Sequence, residues 1–96
     1  MPPTPTARSW RAILGPSYPN PSRTAATIAF ELPHAGDIAL RLYDVAGREV
    51  AMLANGWREA GRHEVPVATG RLAPGTYSYV LRAGSTVESR KLIVRR

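Results

Sequence analysis

The side chains that could perform acid–base chemistry or hold a metal are two histidines and seven carboxylates. His34 lies in a turn rich in proline and glycine, and His63 lies on a predicted strand. Neither has a second ligand at the spacing of a metal site. The carboxylates that could form a catalytic pair fall in turns or at outward strand positions, and they are Asp37, Asp44, Glu49, Glu59 and Glu64. The sequence therefore predicts no metal site and no acid–base catalyst.

The remaining routes to catalysis are also missing from the sequence. No serine occurs in the sharp, glycine-flanked turn of a hydrolase nucleophile, and no glycine-rich loop could hold a phosphate group. The chain has no cysteine, which excludes disulfides, thiolate catalysis and cysteine-based zinc sites. Without a convergent set of polar groups, we predict that the protein is not an enzyme and binds no cofactor and no small-molecule substrate.

Positive charge is the remaining chemical feature of the chain. The net charge is +6, and arginine supplies nearly all of the positive residues. The densest basic group lies near the C-terminus and consists of Arg90, Lys91, Arg95 and Arg96. A protein that binds nucleic acid usually pairs such a patch with exposed aromatic side chains. Because Tyr77 and Tyr79 share a strand face with Leu81, we expect them in the core, and the patch favours an acidic protein partner or plain solvation over nucleic acid.

No segment of the chain predicts a direct association with a membrane. No run approaches the roughly 18 apolar residues of a membrane span, and the opening MPPTPTARSWRAIL lacks the apolar core of a signal peptide. The chain therefore either stays inside the cell or is the end of a larger exported protein. Contact with a membrane is expected only through protein partners.

Apolar residues that recur every second position predict β-strands along most of the chain. Ile28, Phe30 and Leu32 follow this pattern, and the segment from Thr76 to Ala83 shows it most clearly. Turn residues separate six or seven such segments at intervals of roughly 8–12 residues, and no helical pattern occurs. This arrangement predicts an all-β, antiparallel β-sandwich.

Glycine and proline predict several finer features. Gly15-Pro16 should end a short first strand, and Asn55-Gly56 should end a strand that begins at Arg48. Pro66 lacks an amide hydrogen, so its strand should lie at a sheet edge or carry a bulge. A bulge is also expected between Val87 and Leu92, because the two residues are out of phase.

The N-terminal part of the chain divides into a linker and a rigid crossing. Residues 1–12 are rich in proline and threonine and predict a linker or arm, and residues 13–96 predict the sandwich. The prolines of Tyr18-Pro19-Asn20-Pro21 fix their own backbone and hold the preceding residues extended. We expect this YPNP segment to cross from one sheet to the strand that begins near Thr24, with Tyr18 covering one end of the core.

Five motifs occur in a fixed order: YPNP, LYDVAGREV, AGRHEV, LAPGTY and, close to the C-terminus, RKLIV. In this order the chain closely resembles the C-terminal sorting domain (type A) of bacterial type IX secretion cargo. It is also similar to the Ig-like domain of the flagellar hook-capping protein. The resemblance covers about residues 14–96, which is all of the chain except the linker.

The resemblance implies an Ig-like antiparallel β-sandwich of about seven strands that is exported. It implies that the secretion translocon recognises the folded domain in the periplasm, and that a sortase-like peptidase cuts within Thr4–Arg11 to leave the cargo at the cell surface or outside the cell. By matching positions, the secretion signal would be Lys91, Val94, Arg95 and Arg96. The motif residues of the scaffold would be Tyr18, Pro19, Asn20, Pro21, Gly75 and Tyr77.

Two further expectations concern the scaffold and the alternative function. The Tyr77 hydroxyl should bond to nearby backbone, as in a tyrosine corner, and a side chain at Gly75 should strain the backbone. The alternative function is a stand-alone Ig-like subunit of a surface or flagellar assembly, with assembly neighbours as partners. A long upstream reading frame with a signal peptide would favour sorting, and a native start at Met1 would favour the subunit.

Overall fold

The computed structural model describes residues 12–95. Within them lie seven β-strands and one turn of 3-10 helix, Thr69–Arg71. The strands are β1 (Ile13–Tyr18), β2 (Ala26–Leu32), β3 (Gly36–Tyr43), β4 (Glu49–Arg58), β5 (Gly61–Val67), β6 (Gly75–Ala83) and β7 (Thr86–Val94). The predicted all-β fold with about seven strands is confirmed. The predicted linker falls almost entirely outside the described residues.

The strands form two antiparallel sheets. One sheet has three strands in the order β1-β2-β5, and the other has four in the order β4-β3-β6-β7. Because side chains two residues apart share a face, the alternating apolar residues of each strand point between the sheets. The result is the predicted β-sandwich. Pro66 lies on β5, which is an edge strand, as its missing amide hydrogen predicts.

The core is built from the inner faces of both sheets. Its largest fully buried side chains are Tyr79, Phe30, Leu14, Ile28, Leu40, Leu42, Leu81 and Leu92. Burial of one such side chain stabilises the fold by about 1.5–3 kcal/mol. The predicted inward phase of Tyr77, Tyr79 and Leu81 on β6 is confirmed, since all three are buried.

β1 continues through Gly15-Pro16, where the sequence predicts a break. The register with β2 shifts between Leu14 and Ser17, so the proline lies in an irregular stretch where it need not donate to the ladder. Glycine is needed beside it, because a Cβ at Gly15 would lie 3.0 Å from the carbonyl oxygen of Ala29. The predicted break is wrong because the register shift accommodates both residues.

β4 likewise continues through Asn55-Gly56, where the sequence predicts a turn. Both residues stay paired with β3, and the turn follows only after Arg58. The register between β3 and β4 shifts at two points, which leaves Val50 and Leu53 as extra residues. These irregularities, and not an early end of the strand, explain the uneven apolar pattern of the segment.

The YPNP segment does not cross between the sheets, which corrects the sequence-based prediction. β1 and β2, which it connects, are neighbours in the same sheet. Both of its X–Pro peptide bonds, Tyr18-Pro19 and Asn20-Pro21, are cis. The loop reaches instead toward the edge of the other sheet, where Ser22 forms a parallel bridge with Val94 of β7.

The strand connections define two ends of the sandwich. The N-terminal pole consists of Ala12 and the turns at 33–35, 59–60 and 84–85. The C-terminal pole consists of Arg95 and the loops at 19–25, 44–48 and 68–74. Since β7 runs from one pole to the other, the described chain begins and ends at opposite ends of the molecule.

Candidate recognition site at the C-terminal strand

The end of β7 presents its side chains in a strict alternation. Leu92 and Val94 are buried in the core, whereas Lys91, Ile93 and Arg95 are exposed. β7 is an edge strand of the four-stranded sheet, so one row of its backbone groups has no partner within that sheet. Whether these backbone groups are already hydrogen-bonded decides whether a partner strand can pair with β7.

The connection between β1 and β2, residues 19–25, occupies the outer edge of β7 near its end, and we call it the YPNP loop. Asn20 acts as a substitute for a neighbouring strand, because its Oδ1 accepts the Ile93 amide at 3.0 Å and its Nδ2 donates to the Lys91 carbonyl at 3.2 Å. Ser22 continues the pairing through its backbone: its amide donates to the Ile93 carbonyl and its carbonyl accepts the Arg95 amide, both at 2.8 Å. We call these four bonds the β7 edge contact.

A buried pair of hydroxyl groups holds the loop that makes this contact. Ser22 and Thr69 are both fully buried, and the Ser22 hydroxyl donates to the Ala25 carbonyl at 2.9 Å. The Thr69 hydroxyl lies 2.5 Å from that of Ser22, to which it can donate. The Gly70 amide donates to the Thr24 carbonyl at 2.9 Å. The 3-10 turn, the YPNP loop and the end of β7 therefore form one hydrogen-bonded unit.

The first half of β7 contacts β1 through side chains. The Leu14 amide donates to Glu88 at 2.9 Å, and Arg90 Nε donates to the Leu14 carbonyl at 2.8 Å. Glu88 and Arg90 are in phase with Leu92 and Val94, so their inward position was readable from the sequence as charges on an apolar face. The predicted bulge between Val87 and Leu92 is wrong: β7 stays in register with β6 throughout, and Val87 is exposed.

Comparison with known proteins places this arrangement in a family. A model of the secretion system C-terminal sorting domain matches residues 17–95. The chain belongs to this family, the C-terminal sorting domains of type IX secretion. Membership implies export by that system and interaction with its machinery. A search of curated proteins finds no match.

Three of the four residues predicted as the signal of the sorting domain, Lys91, Val94 and Arg95, lie at or next to the β7 edge contact. Lys91 and Arg95 are exposed, Val94 is buried, and Arg96 lies outside the described residues. Of the YPNP residues, Asn20 makes two bonds of the contact and Pro19 and Pro21 flank it. Sequence reasoning missed Ser22, Thr69 and Glu88, and it assigned Arg90 to the basic patch without predicting its contact with β1.

Tyr18 does not cover the core, which corrects another prediction. Its side chain is 46% exposed, and its hydroxyl donates to Glu64 of β5 at 2.7 Å. That hydrogen bond raises the pKa of Tyr18, and together with Arg62 it lowers the pKa of Glu64. The tyrosine therefore bridges β1 and β5 across the outer face of the three-stranded sheet.

The two tyrosines of β6 stabilise the sorting domain through hydrogen bonds to backbone carbonyls. The Tyr77 hydroxyl donates to the Ala73 carbonyl at 2.6 Å, which is the predicted tyrosine-corner bond. The Tyr79 hydroxyl donates to the Gly15 carbonyl at 2.9 Å and so joins the two sheets, and burial raises the pKa of Tyr79. Gly75 has a φ of +155°, and a Cβ there would meet no atom within 4 Å, so only its backbone angle disfavours other residues.

The described residues bring no metal-binding set of side chains together. Among residues 12–95, no three histidine, cysteine or acidic side chains could hold a metal ion. His63 stacks on Phe30 at 5.2 Å and its Nε2 lies 2.7 Å from the Glu59 carbonyl. His34 lies apart from it, with Asp37, beside an open depression of about 470 Å³ at the N-terminal pole. No helix in this part of the chain is long and apolar enough to cross a membrane.

Proposed function

We propose that this sorting domain acts without catalysis, as a folded export module that the type IX translocon recognises at the end of β7. The β7 edge contact carries the proposal. It fixes the register of the final strand, so that Lys91 and Arg95 stand at set positions while Val94 anchors the strand in the core. A partner therefore meets a preformed set of cationic side chains, which lowers the ordering cost of binding.

The occupied edge also restricts how the translocon can bind. Strand addition needs free backbone groups at a sheet edge, and near the end of β7 these groups are already bonded to Asn20 and Ser22. Recognition at this position therefore uses side chains and shape. In the same proposal, a sortase-like peptidase cuts ahead of the sandwich after passage through the periplasm, and the cargo then reaches the cell surface or the medium.

An export assay tests the proposal. The chain is placed at the C-terminus of a secreted cargo, and the cargo outside the cell is quantified for the intact chain and for a chain that lacks Arg90–Arg96. Removal of these residues should abolish export. Because it also removes half of β7, a second variant, Lys91→Gln/Arg95→Gln/Arg96→Gln, keeps the strand and should still lower export at least about tenfold, the equivalent of 1.4 kcal/mol of lost recognition.

The matched control is Arg58→Gln/Arg62→Gln/Arg82→Gln, which removes the same charge from residues at or near the N-terminal pole. This variant should be exported at nearly the rate of the intact chain, and circular dichroism should show that both substituted chains remain folded. Export at the intact rate after removal of Arg90–Arg96 would overturn the assignment of the signal to the end of β7.

A further inference from the structure

We propose that Arg23, Arg71 and Arg95 form one basic surface at the C-terminal pole, and that this surface binds an acidic face of a protein partner. Arg23 lies in the YPNP loop, Arg71 in the 3-10 turn and Arg95 at the end of β7. This inference rests on the proposed function and extends it, because two of the three arginines lie outside the C-terminal segment.

The hydrogen-bonded unit beneath the arginines brings their three chain segments together. Arg23 follows Ser22, whose carbonyl accepts the amide of Arg95 itself at 2.8 Å. Arg71 follows Thr69 and Gly70, and these bond to Ser22 and Thr24 on either side of Arg23. The relative position of the three backbones is thus fixed by bonds that are in part fully buried.

All three arginines are available to a partner. Each is exposed, and none takes part in an ion pair within residues 12–95. The ion pairs of that part of the chain are Arg41–Glu49, Arg48–Asp44 and Arg62–Glu64. The guanidinium groups of Arg23, Arg71 and Arg95 therefore have no carboxylate partner among residues 12–95, and a guanidinium fits a carboxylate through two parallel hydrogen bonds.

An apolar side chain at the same pole favours a protein over a lipid surface. Val45 is 89% exposed at the tip of the loop between β3 and β4. Asp44 holds this tip rigid, because its Oδ1 accepts the amides of Ala46 and Arg48 at 3.0 Å each. A combination of arginine and exposed apolar side chains is typical of protein interfaces.

A binding experiment on the purified chain tests the surface directly. The backbone amides are followed by NMR during titration with an oligoglutamate peptide. We expect shifts at residues 22–24, 70–72 and 94–95. The substitution Arg23→Gln/Arg71→Gln should weaken binding about three- to tenfold, as expected for two exposed ion pairs. Arg62→Gln/Arg82→Gln removes the same net charge elsewhere and should weaken it much less.

Three results would overturn the inference. The two double variants could weaken binding equally, which would leave only the overall charge as the cause. The peptide could shift amides spread over the whole surface. Finally, phosphatidylglycerol vesicles could bind in an Arg23- and Arg71-dependent manner while the peptide does not, which would assign the surface to lipid.

The export assay separates this inference from the proposed function. Arg23→Gln/Arg71→Gln leaves Lys91, Arg95 and Arg96 intact, and it should lower export several-fold relative to Arg62→Gln/Arg82→Gln. If removal of Arg90–Arg96 stops export but Arg23→Gln/Arg71→Gln does not lower it, the proposed function stands and the inference is wrong. If neither change lowers export, the proposed function fails as well.

Discussion

The two long sides of the sandwich differ in the contacts that hold their edge strands. On the β1–β7 side, Glu88 accepts a hydrogen bond from the Leu14 amide, Arg90 donates one to the Leu14 carbonyl, and the β7 edge contact occupies the edge near the end of β7. On the β4–β5 side, the edge strands make fewer contacts with each other, and no hydrogen bond joins them within residues 12–95. Irregularity occurs on both sides, since β1 carries Pro16 and a register shift, β4 carries two register shifts and β5 carries Pro66, but on the β4–β5 side no bond between the edge strands adds to it among residues 12–95.

This difference shows that an edge strand can be protected either by partners or by irregularity. Bulges and proline discourage pairing with another chain but add no bond that holds the outer side of the strand. Side-chain and loop contacts instead fix the strand in place. The chain uses side-chain and loop contacts on the side that contains its final strand, where the proposed function needs the strand in a fixed position. We therefore expect substitutions on the β1–β7 side to cost more stability than matched substitutions on the β4–β5 side.

The largest expected difference lies between Tyr79 and Met52. Tyr79 is fully buried and bonds to Gly15 of β1, whereas Met52 is 42% exposed on β4. Tyr79→Ala should lower the free energy of unfolding by about 3–5 kcal/mol because it leaves a cavity between the sheets. Met52→Ala should change it by less than about 1 kcal/mol. Urea unfolding followed by tyrosine and tryptophan fluorescence measures both.

The substitution Tyr79→Phe measures the contribution of the hydroxyl to stability separately from that of the ring. It keeps the packing but leaves the Gly15 carbonyl without this donor, so a loss of about 1 kcal/mol is expected. Unchanged stability of Tyr79→Phe would mean that this bond does not help to hold β1 against β6.

The chain offers a matched pair of asparagines for the two edges. Asn20 makes two bonds of the β7 edge contact, and Asn55 is exposed on β4 with no side-chain hydrogen bond in the described part of the chain. Asn20→Asp removes the donor to the Lys91 carbonyl and sets a carboxylate against it. We expect a loss of about 1–2 kcal/mol and faster hydrogen exchange at the amides of Ile93 and Arg95.

Asn55→Asp introduces the same chemical change on the β4–β5 side. It should leave both the free energy of unfolding and the exchange of the Ile93 amide nearly unchanged. Equal effects of the two substitutions would show that the YPNP loop does not hold β7 more firmly than β4 is held.

The sequence predicts the sandwich well because the apolar alternation that specifies each strand lies within a few neighbouring residues. Alternation along β2, β3 and β6 specifies two apolar faces, and the order of the motifs identifies the family. The β7 edge contact was not predictable in this way, since Asn20 and Ile93 are far apart in the sequence and no periodicity relates them. The predicted bulge in β7 was wrong for a related reason: Glu88 and Arg90 take positions in phase with Leu92, where the pattern expects apolar residues, while the apolar Val87 is exposed.

The smallest expected effect concerns the turn between β3 and β4. Hydrogen bonds from the Arg48 backbone, the Arg48 side chain and the Ala46 backbone lower the pKa of Asp44 from 3.8. Because the pKa of Asp44 is lower in the folded state, its carboxylate stabilises the fold at pH values above the ordinary pKa of an aspartate. This stabilisation is lost as the pH falls through the lowered pKa. Asp44→Asn should therefore be slightly destabilising at neutral pH, with a difference that vanishes in acid.

The other aspartate of the chain, Asp37, provides the control. It is exposed at the start of β3, and its side chain makes no hydrogen bond among residues 12–95. Asp37→Asn should leave the free energy of unfolding at neutral pH nearly unchanged, as measured by urea unfolding. A difference between Asp44→Asn and the intact chain that persists unchanged into acid would contradict the role given to the Asp44 carboxylate.

The opposite placement of Ala12 and Arg95 has a consequence for how a cargo of any size could be handled. Nine residues of β7 span about 30 Å at the rise of an extended strand, and this length separates the two poles. Ala12, where the described part of the chain begins, lies at the opposite pole from Arg23, Arg71 and Arg95. In the proposed function, a receptor that binds these arginines approaches the sandwich from the pole opposite Ala12 and leaves the N-terminal pole uncovered, whatever the size of the attached cargo.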